Sequence, residues 1–148
     1  MIEGWEFRKL GDVVPEADAT GSIVSYFPQS RFVNTGNLPL HRYGSGPFCK
    51  FVMVGVPSDS GVYAYFVEGQ LKYVGETHFA RQTLYAYRNI SPRMCFKGGQ
   101  ERSCRINNLL HNAAVAGKRI ELWFMPTPDH KAVEAELRRT LQPEWNKI

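Results

Sequence analysis

The sequence predicts an α+β fold: a small mixed, mainly antiparallel β-sheet flanked by three helices, with an irregular N-terminal extension. Three observations lead there. Two β-rich runs, GVYAYFV (61–67) and QLKYVG (70–75), lie on either side of Glu68-Gly69 and read as a hairpin. Three capped helical patterns follow. Residues 11–47 are dense in Gly, Pro, Ser and Asn and show no sustained period. The 148 residues amount to about one domain, divided as 1–47 (an extension packed on the core) and 48–148 (the folded domain).

Each element has a local reason. FCKFVMVGV (48–56) is an apolar strand candidate that stops at the turn cluster Pro57-Ser58-Asp59-Ser60-Gly61. Thr77 can cap a helix running from His78 to Arg88. Ile90–Arg102 contains Pro92 and Gly98-Gly99 and reads as a loop. Ser103 can cap a second helix over 104–116, with Ile106, Leu109, Leu110 and Ala113 on one face and Gly117 as its stop. RIELWFM (119–125) is a buried strand. Thr127-Pro128 opens a third helix that ends before Pro143, with Val133, Leu137 and Leu141 as its core stripe.

Composition narrows the function. Apolar residues make up 43% and charged residues 22%, enough to bury a core and unlike a disordered chain. No run approaches the ~18 apolar residues of a membrane span, and MIEGWEFRKL lacks the apolar centre of a secretory signal, so a cytoplasmic protein with no membrane partner is expected. Cys49, Cys95 and Cys104 are an odd number, which fits a reducing compartment. Residues 1–79 hold 6 basic and 8 acidic side chains, whereas residues 80–148 hold 12 basic and 6 acidic. The densest basic stretch is 88–105, and such a surface suits a polyanion, because neutralised phosphates release counterions. An ordinary solvated face explains the charge equally well.

Gly61-Val62-Tyr63 and Tyr73-Val74-Gly75 put two tyrosines ten residues apart on the arms of the hairpin. Downstream come Arg81 on the first helix, Glu134 on the third and Pro143-Glu144-Trp145-Asn146 at the end. As an ordered set over 61–148 these residues resemble the GIY-YIG nuclease superfamily, most nearly its small restriction-type and phage DNA endonucleases. The resemblance implies a phosphodiester hydrolase with Tyr63, Tyr73, Arg81, Glu134 and Asn146 as catalytic residues. Glu134 would ligate Mg²⁺ (or Mn²⁺), double-stranded DNA would be the substrate, and the ends would carry 5′-phosphate and 3′-hydroxyl. Tyr63 would take a proton from the attacking water, Arg81 would balance phosphate charge, and Asn146 would anchor the C-terminal turn against the metal helix or bind phosphate. One site cuts one strand, so a double-strand break calls for a homodimer, a homotetramer or sequential nicks.

The match departs from the pattern at two places. Related nucleases place the arginine about ten residues after the second tyrosine, whereas Arg81 follows Tyr73 by eight; without that shortening Thr83 would fill the slot. Glu76 stands where the family usually has lysine. On the third helix Glu134 lies about 60° from the centre of the core stripe and Glu136 about 100° on the other side, at ~3.6 residues per turn. Glu134 alone precedes the proline by nine residues and the asparagine by twelve, as the resemblance requires. The tyrosines share a sheet face only if paired numbers sum to an even value, such as Tyr65 opposite Tyr73, which points to an odd-length loop, for instance Glu68-Gly69-Gln70.

For DNA the candidates are Tyr85, Arg88, Arg93, Lys97, Gln100, Arg102, Arg105 and Asn107, which can grip a backbone or read base edges. Other groupings are weaker. Cys95, Cys104 and His111 have spacing unlike compact zinc motifs. The four histidines read as surface or packing residues, with His78 alone placed near the site. Trp5, Tyr26, Phe27, Phe32 and Tyr43 suit core packing better than a stacking platform. The alternative function is a nucleic-acid-binding module on the same fold with altered chemistry.

Overall fold

A computed structural model describes residues 1–53 and 55–147. Its strands are β1 (Arg8–Asp12), β2 (Gly61–Val67), β3 (Gln70–Thr77) and β4 (Ile120–Pro126). Its helices are α1 (Ala80–Tyr87), α2 (Glu101–Val115) and α3 (His130–Leu141), with short 3₁₀ turns at Pro28–Arg31, Pro92–Cys95 and Glu144–Asn146. The chain divides into two units: residues 1–13, 53–84 and 118–148 form one, and residues 14–52 and 85–117 the other. No helix among the described residues is long and apolar enough to cross a membrane.

The first unit holds the sheet, in the order β1-β4-β2-β3 and antiparallel at every pairing. Its hairpin settles the question of parity. Glu68 and Gly69 both have positive φ (50° and 76°), the two-residue turn whose twist matches the flanking strands. Val67 pairs with Gln70 and Phe66 with Leu71; the register then shifts, so that Tyr65 faces Tyr73 and Tyr63 faces Gly75. The expected pairing of Tyr65 with Tyr73 holds, but the odd-length loop does not. Lys72 is the extra residue, and a β-bulge restores the parity that the two-residue turn would have broken.

Alternation then sorts the side chains. Val62, Ala64 and Val74 project from one face and cluster with Val133 and Leu137 of α3, together with Phe7 and Met125. Val133 and Leu137 are one turn apart, and burying each aliphatic side chain contributes about 1.5–3 kcal/mol. Tyr63, Tyr65, Tyr73 and Gly75 occupy the opposite face.

The starts of α1 and α3 differ from expectation by two residues, for local reasons. Thr77 remains in β3, and its hydroxyl accepts the Phe79 N–H (3.1 Å), so α1 begins at Ala80. Thr127 likewise accepts the Asp129 N–H (3.1 Å) in a turn, and α3 begins at His130. At its far end Gln142 is left-handed (φ 45°), and Pro143 then forbids another turn.

β1 was not anticipated. RKLGD has no apolar alternation because it is a partly exposed edge strand. Its ladder with β4 is flanked by charges: Lys9 meets Asp12 (2.8 Å) and Glu121 (3.8 Å), and Arg119 meets Asp12 (3.6 Å).

The expected strand over 48–56, which begins in the second unit, is absent among the described residues; Val54 lies outside them. Phe48 forms a lone bridge with Tyr26 and Phe51 one with Pro15. The Cys49 N–H goes to the Asn107 side chain (2.8 Å), and the Phe51 N–H to the Arg88 carbonyl (3.1 Å). These backbone groups find separate partners, and the apolar run reflects burial without a ladder. α2 starts at Glu101, with Gln100 at its cap position, and Ser103 lies inside the helix, donating to the Gln100 side chain (3.1 Å). Its buried face runs through Cys104, Ile106, Asn107, Leu110 and His111, rotated from the purely apolar stripe expected.

Candidate active site

The two tripeptides owe their glycines to close approach. Gly61 lies under the Phe124 ring and the Met125 carbonyl, with no space for a Cβ. Gly75 lies under the phenol of Tyr63, where a Cβ would overlap the ring and its hydroxyl. Tyr63 therefore crosses β3 at the one position that lacks a side chain. Its ring centroid is 6.0 Å from that of Tyr73 and 6.1 Å from that of Tyr65. Tyr63 is 0% exposed and Tyr73 6%.

The C-terminal motif fixes the outer edge of β3. Asn146 Nδ2 donates to the Val74 carbonyl (2.8 Å), and the Val74 N–H donates to Asn146 Oδ1 (2.9 Å). The side-chain amide thus stands in for the next strand. Lys72, turned aside by the bulge, reaches Glu144 (2.6 Å), and Trp145 is buried. Lys72 holds the Glu144 carboxyl below its ordinary value. Asn146 anchors the C-terminal turn to β3, not against α3 as expected; both ends of its amide are engaged there.

Glu134 is buried and Glu136 exposed, as the helical angles imply. One oxygen of Glu134 lies 3.6 Å from Arg138 Nε, a turn later. One turn earlier His130, also buried, meets Glu76 through Nδ1 (2.5 Å). Glu76 shares the face of Val74, which is why it points to α3. His78 is exposed, with its ring 6.1 Å from that of His130. The Glu76–His130 pair was missed; its signal was an acid in a lysine slot together with a histidine at i−4 from Glu134.

Arg81 is exposed, and its Nε donates to the Val56 carbonyl (3.1 Å). Thr83, the other occupant considered for the arginine slot, shares a hydrogen bond with the Thr77 hydroxyl (2.7 Å) and ties α1 to β3. The tyrosines project from one sheet face and α3 packs on the other.

No protein-family model and no curated protein matches the chain. Among solved structures, a point mutant of bacteriophage T4 EndoII, a GIY-YIG nuclease, is similar with a TM-score of 0.50 and 19% identity, covering 74% of this chain and 86% of that one. The fold is GIY-YIG-like.

Outside the two tripeptides of this GIY-YIG-like fold, the DNA candidates all lie in the second unit. Arg88, Arg93, Lys97, Gln100 and Arg102 are exposed, and Tyr85 and Arg105 half-buried. Arg88 lies over the Tyr85 ring at 4.4 Å. Asn107 must be removed from the set. It is 0% exposed; its Oδ1 accepts the Cys49 N–H, and its Nδ2 donates to the Cys49 carbonyl (2.9 Å) and the Tyr87 carbonyl (2.6 Å). It is a latch for irregular backbone, a role that an asparagine on an exposed-looking helix pattern does not announce.

The zinc grouping also dissolves. His111 spends Nε2 on Ser25 (2.8 Å) and Nδ1 on Asn112 (3.0 Å). Among the described residues no three His, Cys, Asp or Glu side chains converge on a metal position. Glu134 suits only an ion held by one carboxylate, with water and substrate oxygens filling its shell, and that is the habit of Mg²⁺.

Proposed function

We propose that this protein is a divalent-metal-dependent DNA endonuclease, of restriction or phage type, that hydrolyses phosphodiester bonds to leave 5′-phosphate and 3′-hydroxyl ends. The observation that carries this reading is the crossing of Tyr63 over Gly75 beside Tyr73, in a GIY-YIG-like fold whose third helix presents the buried Glu134. Phage T4 EndoII, similar in fold, is a nuclease.

In this reading each residue has a role. Tyr63 takes the proton of the attacking water, and Tyr73 hydrogen-bonds the phosphate or shares that task. Arg81, steadied through Nε by Val56, offers the rest of its planar fork to the non-bridging oxygens as their charge grows. Asn146 holds β3, and hence Tyr73 and Gly75, in place. Mg²⁺ or Mn²⁺ at Glu134 would supply positive charge at the scissile phosphate. Double-strand cutting would draw on a second copy of the chain or on two successive nicks.

A second reading, a nucleic-acid-binding module with altered chemistry, is favoured by the complete burial of Tyr63 and by Glu76 in the lysine slot. Nicking of supercoiled plasmid with Mg²⁺ decides between them. Conversion to open circles by the wild type and none by Glu134→Ala supports the nuclease; DNA binding with no nicking supports the module.

A further inference from the structure

All four cation–aromatic stacks among the described residues lie in the second unit. Lys50 lies over Tyr26 (4.3 Å), Arg42 over Tyr43 (4.8 Å), Arg88 over Tyr85 (4.4 Å) and Arg93 over Phe32 (6.0 Å). This unit also carries the charge, with eight basic against three acidic side chains; the first unit is close to neutral.

Several of these cations belong to one stretch of surface. The segment 32–45 is laced to the loop before α2: Phe32 stacks on Phe96 (4.6 Å), the Lys97 N–H reaches the Pro39 carbonyl (2.8 Å), and the His41 N–H reaches the Cys95 carbonyl (3.1 Å). Arg42 pairs with Glu101, the first residue of α2 (3.2 Å). Arg42, Arg93 and Lys97 are exposed there, and Glu101 pairs with Arg42.

We infer that the N-terminal segment is part of a surface that grips the phosphate backbone of duplex DNA, with Arg42 and Lys50 joining Arg88, Arg93 and Lys97. This deepens the proposed function and rests on it for the identity of the polyanion. The rings decide between duplex and single strand. An unpaired base needs an open aromatic face, and a cation competes for one face of each of these rings, while Phe32 also packs on Phe96. Rings covered in this way hold guanidinium and ammonium groups at fixed positions. Fixed cations suit the regular phosphates of a duplex and supply affinity without reading sequence.

The test is fluorescence anisotropy of a labelled duplex and of its single strand, in EDTA, across a salt series. The wild type should bind duplex more tightly than single strand. Arg42→Ala with Arg93→Ala should weaken duplex binding by about tenfold or more and lower the log–log salt slope by about two, with an unchanged melting temperature. An unchanged slope in that variant overturns the inference. So does a preference for single strand that Tyr43→Leu abolishes. Plasmid nicking with Mg²⁺, measured in parallel, keeps the two proposals apart: binding with the expected slope but no nicking sinks the nuclease alone, and nicking with an unchanged slope sinks this surface alone.

Discussion

The phenol of Tyr63 lies across Gly75, filling the space that any other residue there would claim with its Cβ. Because φ at Gly75 is ordinary, the requirement is space and not backbone freedom. Gly75→Ala must push the Tyr63 ring out of a fully buried position or bend the edge strand. Overpacking of this kind costs about 1–3 kcal/mol. Urea denaturation should show that loss. Plasmid nicking should fall far more than the folded fraction does, because the ring moves even in molecules that stay folded. Tyr63→Phe is the complementary variant, since it keeps the ring and removes the hydroxyl. A Gly75→Ala protein with wild-type stability and nicking would contradict the packing.

Asn107 closes three backbone groups at once, two on Cys49 and one on Tyr87. Asn107→Ala would leave them buried and unpaired, at about 1–3 kcal/mol for each group left unsatisfied. Asn107→Asp keeps the acceptor but removes both donors and buries a charge beside two carbonyls, so it should be worse. Thermal melts should rank wild type above Ala and Ala above Asp. At a temperature where the Ala variant is folded, its affinity for DNA should match the wild type; a large loss of binding without loss of stability would return Asn107 to the nucleic-acid surface.

How much of this was legible depended on whether a local pattern or a distant partner decided the outcome. The hairpin, the three helices and the burial of Glu134 beside an exposed Glu136 follow from turn chemistry and helical angles, which are local. The bulge at Lys72 was not legible, since an extra residue in a strand looks like any other until its partner strand is known. β1 was hidden because its own residues, RKLGD, show no apolar alternation, and what pairs them is the backbone ladder with β4. The run over 48–56 misled for the opposite reason: it is apolar because it is buried, and its hydrogen bonds go to scattered loops and to Asn107. At the site the two tripeptides named their own strands and glycines. His130 was invisible until β3 and α3 were packed together and Glu76 had somewhere to point.

Burial of the three thiols sets a pH dependence whose sign can be worked out. Desolvation pushes the Cys49 thiol up to about 12 from an ordinary 9.0 and raises Cys95 and Cys104 as well. In the folded protein the thiols stay protonated, while in the unfolded chain they ionise near 9. Their contribution to stability is therefore complete below about pH 9 and is lost as pH rises toward the folded value. Unfolding free energies from urea titrations should be flat from pH 7 to 8 and fall between 9 and 10, by up to about 1.4 kcal/mol per pH unit for each thiol. Cys49→Ala should make that fall shallower. At pH 8 the native thiols should also resist a soluble disulfide reagent and react on unfolding; fast labelling of the native protein would show that the burial is wrong.

Asn146 offers the sharpest separation of donor from acceptor. Its amide replaces a missing strand at Val74, with one group given and one received. Asn146→Ala removes both and exposes the edge of β3 to water, so a loss of about 1–2 kcal/mol is expected, with water partly satisfying the freed groups. Asn146→Asp keeps the acceptor for the Val74 N–H but sets a carboxylate oxygen against the Val74 carbonyl. Protonation turns that oxygen into a donor, so the folded state favours the neutral acid and raises its pKa. By the same linkage the Asp variant should gain stability relative to the Ala variant as pH falls toward the carboxylate range and lose it again as pH rises. Lys72 and Glu144 work in the other direction: the Glu144 carboxyl is held below its ordinary 4.5, so their contact weakens on acidification through that lowered value. Comparing the two Asn146 variants at each pH cancels this shared effect, because both retain Lys72 and Glu144. Parallel stability curves for Asn146→Ala and Asn146→Asp from pH 4 to 7 would mean that the amide does not bridge Val74, and the clamp on β3 would have to be abandoned.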